Sequence, residues 1–483
     1  MRSSARGDLI GAFVVSGFVL GFCFLLLWHD PQLFWNDDYE ISILPVFADV
    51  ARSWSEGHLP LLSPYSWICS NLAGEFQYGT FSIFVNAAVV LIWKFPLTFP
   101  EQAAALSMAH LFVLAFGGYL LARGRNLSAP LSMMVAMIAA LNGWIICWGA
   151  TDWFGALGAF AWLPWAWWGL ERALNPRCGR WRILWPAPSV YLLVTGGFPY
   201  TVLMLGLLVA WLGLKSLGRT GKISSIFPLV FGSLLGLGLS APAWLALLDY
   251  VHGSAREAQP ASAHFQWLVP LAALPGFVLP CWTVNWANFS TQLLPHAATE
   301  LACGLAAPVA LLVGLVTRGR LLVRQVKWEL GLLVVVLVIS MLPSANVFRW
   351  SFRWLPFVEL ILGLCAAEAL QMLDLGSGAS PLARRILSSA GFWAMVIVAL
   401  TASAMWMAHT GGRYAWPLSA VMFTLAACWA VIDLLAIRFR RLQSWAPPAV
   451  TFAALLATYL CIPPNSGVPN FNLAQELLSS APL

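Results

Sequence analysis

Two adjacent carboxylates, Asp37 and Asp38, have the clearest capacity for chemistry in this sequence. They follow the first apolar stretch, Ile10 to Trp28, and precede an amphipathic segment. An acid at such a junction, partly desolvated and beside a like charge, is expected to have a raised pKa and to be able to act as a general base. A solvated acidic helix cap would have the same spacing, so both interpretations stay open.

Other common chemistries are not indicated. The sequence lacks a G-x-x-x-x-G-K-S/T loop, a G-x-G-x-x-G run after a strand and an H-E-x-x-H pair, so no ATP or nucleotide-sugar site is predicted. The nine cysteines lie mainly in apolar stretches, where a thiol packs as a small hydrophobic group, and they indicate no disulfide framework. Nothing in the charge pattern indicates nucleic-acid binding.

The elements that position these residues must be membrane helices. Hydrophobic residues make up 60% of the 483 and charged residues 10%, so the chain cannot form a soluble core with a solvated surface. A helix needs about 20 apolar residues to cross a bilayer, and such stretches recur along the chain. The first, Ile10 to Trp28, follows Arg2 and Arg6 as a signal peptide would, but no small-residue cleavage site follows it, so we predict a retained first helix.

Orientation is predicted from lysine and arginine, which accumulate in short cytoplasmic loops. The alternate loops carry most of the acids and few cations, so they are predicted to face outward and the N-terminus to be cytoplasmic. The basic clusters are Arg2/Arg6, Arg123/Arg125, Arg172/Arg177/Arg180/Arg182, Lys215/Arg219/Lys222, Arg318/Arg320/Arg324/Lys327, Arg384/Arg385 and Arg438/Arg440/Arg441.

We predict an all-α polytopic membrane protein with about 13 transmembrane helices. It is treated as a single transmembrane domain, 1–483, with a first outer loop at 29–100 that contains juxtamembrane helices and a second large outer loop at 249–300. Gly79–Trp93 is short and Phe265–Trp282 is broken by prolines, so both are predicted to lie on the outer side. The predicted crossings are Ile10–Trp28, Glu101–Ala122, Ala129–Ile146, Ala156–Leu170, Trp185–Gly196, Pro199–Leu214, Ile226–Leu248, Leu301–Val316, Trp328–Met341, Leu355–Leu373, Ile386–Ala408, Ala415–Ile437 and Ala446–Cys461.

Two segments are predicted to shape the outer face. Ile43 to Trp54 has apolar residues at helical spacing, which predicts an amphipathic helix lying on the membrane. The segment Thr195–Tyr200 separates two helices that are predicted to be too short to cross alone, so it is predicted to be the turn of a hairpin within the membrane that lines an outer cavity. A Gly-Pro kink in one long helix is the alternative.

Several motifs, in order, resemble those of the YfhO-type membrane proteins of the GT-C superfamily, which are glycosyltransferases that use polyprenyl-phosphate sugars. The first loop of that family has an Asp, a Pro seven positions on, a G-x-P-L-W-N-P-Y box, and then an acid and a Gln before G-x-F. Later motifs are a Gly-x-Pro-Gln turn, S-x-R and F-R-x-x-x-R. The matching residues are Asp38, Pro45, Gly57 to Tyr65, Glu75, Gln77, Gly79, Phe81, Gly197 to Tyr200, Ser254 to Arg256 and Phe348 to Arg353.

The sequence also departs from this pattern. Leu62 and Ser63 replace the Trp-Asn of the box, and Tyr200 replaces the Gln of the turn. These positions concern substrate contacts more than the carboxylates, so the donor or acceptor could differ from those of the family.

The resemblance implies a GT-C-like fold and an inverting transfer of a sugar from a polyprenyl-phosphate donor to a cell-envelope glycan or lipid at the outer face. Asp38 is the implied general base. Glu75 and Asp37 are the next candidates. Either could supply a second carboxylate that holds the acceptor, or be part of a site for a divalent cation. Metal dependence stays open.

The departing phosphate needs positive charge, and Arg349 and Arg353 are predicted to bind it, because a guanidinium offers two parallel donors to a phosphate. Their spacing places both on one face if the segment is helical. Snorkelling to lipid headgroups is the alternative. Arg256 is a further candidate for the phosphate, and the residues predicted to contact substrate are His58, Tyr65, Gln77, Pro199 and Tyr200.

The predicted location is the inner (cytoplasmic) membrane, with the active site facing the periplasm. The implied partners are the donor lipid, the glycan or lipid acceptor and the bilayer. A transporter or flippase of lipid-linked sugars would show internal repeats and a polar path through the membrane, and neither is evident. An envelope-glycan polymerase or ligase would be expected to carry its large outer loop late in the chain.

Overall fold

The computed structural model describes residues 5–35, 38–63, 71–254, 257, 260–277, 300–345, 348–373 and 444–460. Its regular structure in these ranges is helical, apart from an isolated antiparallel bridge between Leu62 and Asn71. The α-helices are α1 (Ala5–His29), α2 (Leu44–Ser55), α3 (Ile83–Ile92), α4 (Phe99–Gly124), α5 (Ala129–Leu141), α6 (Phe154–Phe160), α7 (Leu163–Leu174), α8 (Pro186–Thr195), α9 (Pro199–Thr220), α10 (Phe227–Leu239), α11 (Ala241–Val251), α12 (Ala261–His264), α13 (Ala306–Met341), α14 (Leu355–Leu373) and α15 (Ala446–Leu460).

Four helices in the described ranges are long and apolar enough to cross a membrane: α1, α4, α9 and the segment Ser351–Met372, which contains α14. The pair α10 and α11, bent by 66° at the break between them, would make a fifth. The chain is therefore a multi-pass membrane protein. The count of about 13 stays a prediction, since Ile386–Ala408 and Ala415–Ile437 lie outside the described residues.

Several predicted boundaries are confirmed and others are wrong for identifiable reasons. The helices predicted at Leu355–Leu373 and Ala446–Cys461 are present as α14 and α15. The single helix predicted at Ala156–Leu170 is instead α6 and α7, because Pro164 lacks the amide hydrogen that would continue the ladder. α9 has 22 residues and is long enough to cross alone, so the expectation that both helices beside Gly196 are too short is wrong.

The basic stretch predicted as a loop between two helices is helical, because α13 runs without a break from Ala306 to Met341. A Cβ added to Gly314 would nevertheless lie 2.9 Å from Leu322 Cδ2. Residues eight apart in a straight helix are separated by about 12 Å along the axis. The helix must therefore bend sharply between these residues, in the segment that carries the predicted cytoplasmic arginines.

The chain divides into two compact units. One, called here the loop unit, contains the described residues of Cys23–Gly117 and Cys147–Pro260. The other, called the arginine unit, comprises Met1–Phe22, Gly118–Ile146 and Ala261–Pro463.

The core of the loop unit is built around α2. Val46, Phe47, Val50 and Ala51 are all buried and pack with residues of the first loop and of α3, α4 and α6, namely Tyr78, Val85, Val89, Leu106 and Phe154. The helix predicted from the apolar spacing is confirmed. Its apolar face packs on protein rather than on the membrane, which corrects the second half of that prediction.

The arginine unit is fastened by an ion-pair cluster. Arg125 Nη1 lies 3.2 Å from Glu329 Oε1 on α13 and 3.2 Å from Glu368 Oε1 on α14, with all three side chains largely buried. Arg123 Nε donates to Asp8 Oδ1 at 2.7 Å. Buried charges of this kind require partners, so the pairs fix α13, α14 and the turn after α4 to one another.

The predicted orientation can be tested with two exposed positions in the loop unit. Glu56→Cys, in the first loop, is expected to react with a membrane-impermeant maleimide added to intact cells. Arg219→Cys, at the end of α9, is expected to react only after the membrane is permeabilised. Labelling of the wild-type chain, which has nine native cysteines, is subtracted as background. Labelling of both variants, or of Arg219→Cys alone, in intact cells would contradict the orientation.

Candidate functional site

The first-loop carboxylates Asp38 and Glu75 are both half-buried, and both lie near enough to Tyr78 for their charges to act on its hydroxyl. Burial raises the pKa of the Tyr78 phenol to about 12, the charges of Glu75 and Asp38 add to the rise, and hydrogen bonds with Ser42 and Gln77 oppose it. Tyr78 is therefore protonated at neutral pH. Two acids 37 positions apart in the sequence thus act electrostatically on one neutral hydroxyl.

Asp38 is positioned by the residue that follows it. Asp38 immediately precedes a short π-helix, Tyr39–Ile43. The Tyr39 side chain is fully buried, and its hydroxyl lies 2.6 Å from Ser107 Oγ, which in turn donates to the carbonyl of Ala150 at 2.7 Å. Ser42, on the same π-helix, lies 2.7 Å from the Tyr78 hydroxyl. These buried hydrogen bonds fix the backbone at Asp38, and π-helical turns of this kind recur at functional sites.

Glu75 is held by a residue far away in the sequence. The hydroxyl of Tyr250, at the end of α11, donates to Glu75 Oε1 at 2.5 Å. A Cβ added to the neighbouring Gly74 would lie 2.7 Å from Tyr250 Cδ2, so only a glycine lets the loop lie against the tyrosine ring. Tyr250 therefore fixes both the backbone and the carboxylate at this point of the loop.

The Gly-x-Pro turn predicted to line a cavity packs directly beneath the same loop. Gly197 has φ +105°, and a Cβ added to it would lie 2.7 Å from the carbonyl oxygen of Phe76 and 2.8 Å from that of Gln77. A Cβ on Gly155, at the start of α6, would lie 2.5 Å from the same Gln77 oxygen. Backbone-to-backbone packing this close requires glycine at both positions. The turn between α8 and α9 and the loop after Glu75 therefore form one packed structure.

The remaining predicted substrate residues occupy varied surroundings. Gln77 is exposed, and His58 has 75% of its side chain exposed with Nδ1 3.9 Å from Glu56 Oε2. Pro199 begins α9, whereas Tyr200 is buried and stacks on Phe198 with ring centroids 5.7 Å apart. Asp37, Tyr65 and Arg256 lie outside the described residues. The roles given to all these residues stay predictions.

In the arginine unit, the guanidinium groups of Arg349 and Arg353 both lie over the indole ring of Trp350. The guanidinium carbon of Arg349 lies 3.9 Å from the centroid of the Trp350 ring, and that of Arg353 lies 4.5 Å from it. The expectation that a helix places both on one face does not hold, because residues 348–350 are not helical and Arg353 lies in a single 3₁₀ turn, Ser351–Trp354. Stacking on a shared indole brings the two side chains together instead.

Trp350 is itself clamped in an unusual backbone conformation. Its φ is +67°, and it stacks on Trp267, whose φ is +54°, with ring centroids 4.4 Å apart. The Trp350 indole N–H donates to Gln266 Oε1 at 3.3 Å, and the amide of Phe352 donates to the Trp267 carbonyl at 3.1 Å. Left-handed conformations of bulky residues are strained and persist only where surrounding contacts impose them, typically at functional sites.

The sequence leaves open a site for a divalent cation. The described residues contain no group of three or more His, Cys, Asp or Glu side chains placed to hold a metal ion. Asp38 and Glu75 alone would supply two. The described part of the site therefore does not by itself fit a metal centre.

Sequence reasoning missed four residues that shape these sites. Tyr78 lies between Gln77 and Gly79 within a recognised motif, and Trp350 lies between the two predicted arginines, so both could have been found from their motif positions. Tyr250 and Trp267 make their contacts across 175 and 83 positions of sequence, respectively, and carry no local signal.

These helices and loops place the chain among proteins with the all-helical GT-C-type membrane fold. Two solved structures of ArnT from Cupriavidus metallidurans share that fold. The apo structure gives a TM-score of 0.54 at 14% identity, over 95% of this chain and 78% of that one. The structure bound to undecaprenyl phosphate gives a TM-score of 0.56 at 15% identity, over 99% and 82%. No family model and no curated protein matches the sequence.

The packing of the Gly-x-Pro turn predicts that alanine substitution will lower the stability of the protein at one glycine, Gly197, and not at another, Gly206. Gly197→Ala is expected to destabilise the protein by about 1–2 kcal/mol or more, because its Cβ meets two carbonyls in a left-handed backbone. Gly206→Ala, in the middle of α9 with open space at its Cβ, is the matched control and should be neutral or slightly stabilising. Thermal unfolding in detergent measures both. Equal unfolding temperatures would contradict the packing.

Proposed function

We propose that this chain is a membrane glycosyltransferase that moves one sugar from a polyprenyl-phosphate donor to a cell-envelope glycan or lipid acceptor. The observation that carries the proposal is the pair of half-buried first-loop carboxylates, Asp38 and Glu75, whose charges both act on the Tyr78 hydroxyl, with Glu75 held by Tyr250. The fold shared with a protein crystallised with undecaprenyl phosphate supports it. The motifs that resemble YfhO-type proteins favour that branch of the superfamily, and the proposed location is the inner membrane with the reaction on the periplasmic side.

The proposed chemistry is a single displacement. Asp38 takes the proton from an acceptor hydroxyl as the hydroxyl oxygen attacks the anomeric carbon of the donor sugar. The bond between that carbon and the phosphate oxygen breaks, and its electron pair leaves with the polyprenyl phosphate. One displacement inverts the configuration at the anomeric carbon. Glu75 accepts a hydrogen bond from the acceptor and orients it, with Asp37 as a further carboxylate in the same loop.

The leaving phosphate gains negative charge, and Arg349 and Arg353 are proposed to bind it. Cation–π stacking on Trp350 restrains both guanidinium groups, so less side-chain entropy is lost when they donate to phosphate oxygens. Arg256 is proposed as an additional phosphate ligand. Gln77, His58, Tyr65, Pro199 and Tyr200 are proposed to contact the sugars, with Gln77 and His58 the exposed members among those described.

The function is tested with purified protein, a panel of radiolabelled polyprenyl-phosphate sugars and envelope extract. Wild-type protein is expected to transfer label to an extract component and to release polyprenyl phosphate. Asp38→Asn should lower the rate by about 100-fold or more, since it removes a general base. Glu56→Gln, an exposed acid of the same loop, should stay within about twofold of wild type.

Equal turnover by Asp38→Asn and wild type would overturn the assigned base. No turnover of any donor by folded wild-type protein would overturn the enzyme, and movement of a labelled donor lipid across proteoliposomes would then identify a flippase.

Tyr250 is expected to act as a positioning residue through Glu75. Tyr250→Phe removes the hydrogen bond to the carboxylate and should lower kcat/KM by about tenfold, because a hydrogen bond to a charged group contributes about 1.5–3 kcal/mol. Tyr191→Phe is the matched control, since it removes a phenol hydrogen bond to the Phe81 carbonyl. In a Glu75→Gln background, Tyr250→Phe should have little further effect. An equal loss in both backgrounds would show that Tyr250 acts through the fold alone.

A further inference from the structure

The loop between α7 and α8 concentrates arginine and tryptophan. Arg172, Arg177, Arg180 and Arg182 lie in it or at its start, and Glu171 is the single acid between positions 171 and 185. The loop belongs to the loop unit, and its basic character predicts that it faces the cytoplasm. Neither the proposed reaction nor the carboxylate site makes use of it.

Arg172 lies in the angle between two indoles. Its guanidinium carbon is 4.7 Å from the centroid of the Trp168 ring and 4.4 Å from that of Trp185. The two rings meet edge to face, with centroids 5.3 Å apart and planes at 82°. Contacts with two rings fix the plane of the guanidinium, so its remaining N–H groups point in defined directions.

The charge of Arg172 is not matched by a carboxylate in the described part of the chain. No acid there lies within ion-pair distance of it, and its Nε is buried without a hydrogen-bond partner among the described residues. The neighbouring Glu171 accepts instead from the Trp167 indole N–H at 3.0 Å. A half-buried cation requires compensation, so an external anion is indicated.

Close glycine contacts hold the indole pair in place. A Cβ on Gly169 of α7 would lie 2.8 Å from the Trp185 carbonyl, and a Cβ on Gly232 of α10 would lie 2.4 Å from the Ile183 carbonyl. The end of the loop is thus pressed against two helices. The arrangement around Arg172 is consequently built into the fold and does not depend on a freely moving side chain.

An exposed apolar surface adjoins the arginines. Trp181, Leu184 and Trp185 are 65%, 39% and 39% exposed, respectively. A soluble anion would leave these side chains in water, whereas a phospholipid would cover them with its acyl chains while its phosphate met the guanidinium groups.

We propose that Arg172, held between the indoles of Trp168 and Trp185, binds the phosphate of an anionic membrane phospholipid. The site uses none of the residues proposed to bind the donor and would exist whatever reaction the protein performs. Its ligand class is a phosphodiester headgroup with negative charge and two acyl chains.

Lipid binding to the full chain in a neutral detergent tests the site without requiring turnover. Native mass spectrometry with dioleoylphosphatidylglycerol, and with dioleoylphosphatidylcholine as the zwitterionic comparison without net charge, gives the affinity of the first bound lipid. Arg172→Gln should weaken phosphatidylglycerol binding about fivefold, since one arginine near an anionic lipid contributes on the order of 1 kcal/mol, and should leave phosphatidylcholine binding unchanged. Arg219→Gln, which removes an exposed charge at the end of α9, should change either affinity less than twofold.

Equal phosphatidylglycerol affinities for Arg172→Gln and Arg219→Gln would overturn the proposal. Displacement of the lipid by millimolar inorganic phosphate would also overturn it, in favour of a site for a soluble anion. If Arg172→Gln does not fold, Arg172→Lys carries the test, because lysine keeps the positive charge but lacks the planar guanidinium that stacks on the two indoles. It is expected to weaken phosphatidylglycerol binding in the same direction, and wild-type affinity would count against the site.

Discussion

The carboxylate site depends on the close approach of two backbone segments, the turn at Gly197 and the loop at Phe76 and Gln77. A Cβ at Gly197 would come within 2.8 Å of both carbonyls, and Gly155 packs on the same Gln77 oxygen from α6. A gap wide enough for any other side chain would move the loop that carries Glu75 and Tyr78. Glycine at these points lets helices far apart in sequence define one loop conformation, at the cost of a left-handed backbone at Gly197.

Within this packed loop, the groups that surround the carboxylates are neutral tyrosine hydroxyls. The pKa of Tyr78 is raised to about 12, so its hydroxyl stays protonated where the charges of Asp38 and Glu75 act on it, and Tyr250 donates to Glu75 directly. A phenol can orient a carboxylate by a hydrogen bond and leave its negative charge in place, whereas a buried arginine would neutralise that charge. The arginines of the other unit are organised differently, by stacking on Trp350, whose left-handed backbone is imposed by contacts with Gln266 and Trp267. Each unit therefore prearranges its charged groups through aromatic side chains.

The sequence predicted the fold class and several helices because a lipid bilayer requires long apolar helices. The all-α membrane class follows from composition, and α14 and α15 follow from apolar stretches bounded by polar residues. Boundaries failed where local features override length, as at Pro164, which separates α6 from α7, and in α13, whose arginines sit within helix rather than in a loop. The amphipathic face of α2 was found correctly, but spacing cannot distinguish burial against membrane from burial against protein.

The candidate site shows the same division. Asp38, Glu75 and Gly197 carry local motifs, whereas the Tyr250 contact with Glu75 arises from tertiary packing alone. The most direct test of the account is a double-mutant cycle on transfer activity with Asp38→Asn, Glu75→Gln and the double variant. If both acids serve one reaction at one site, the double variant should be about as slow as the slower single variant. Losses that multiply would show that the two carboxylates act independently, and would contradict the account.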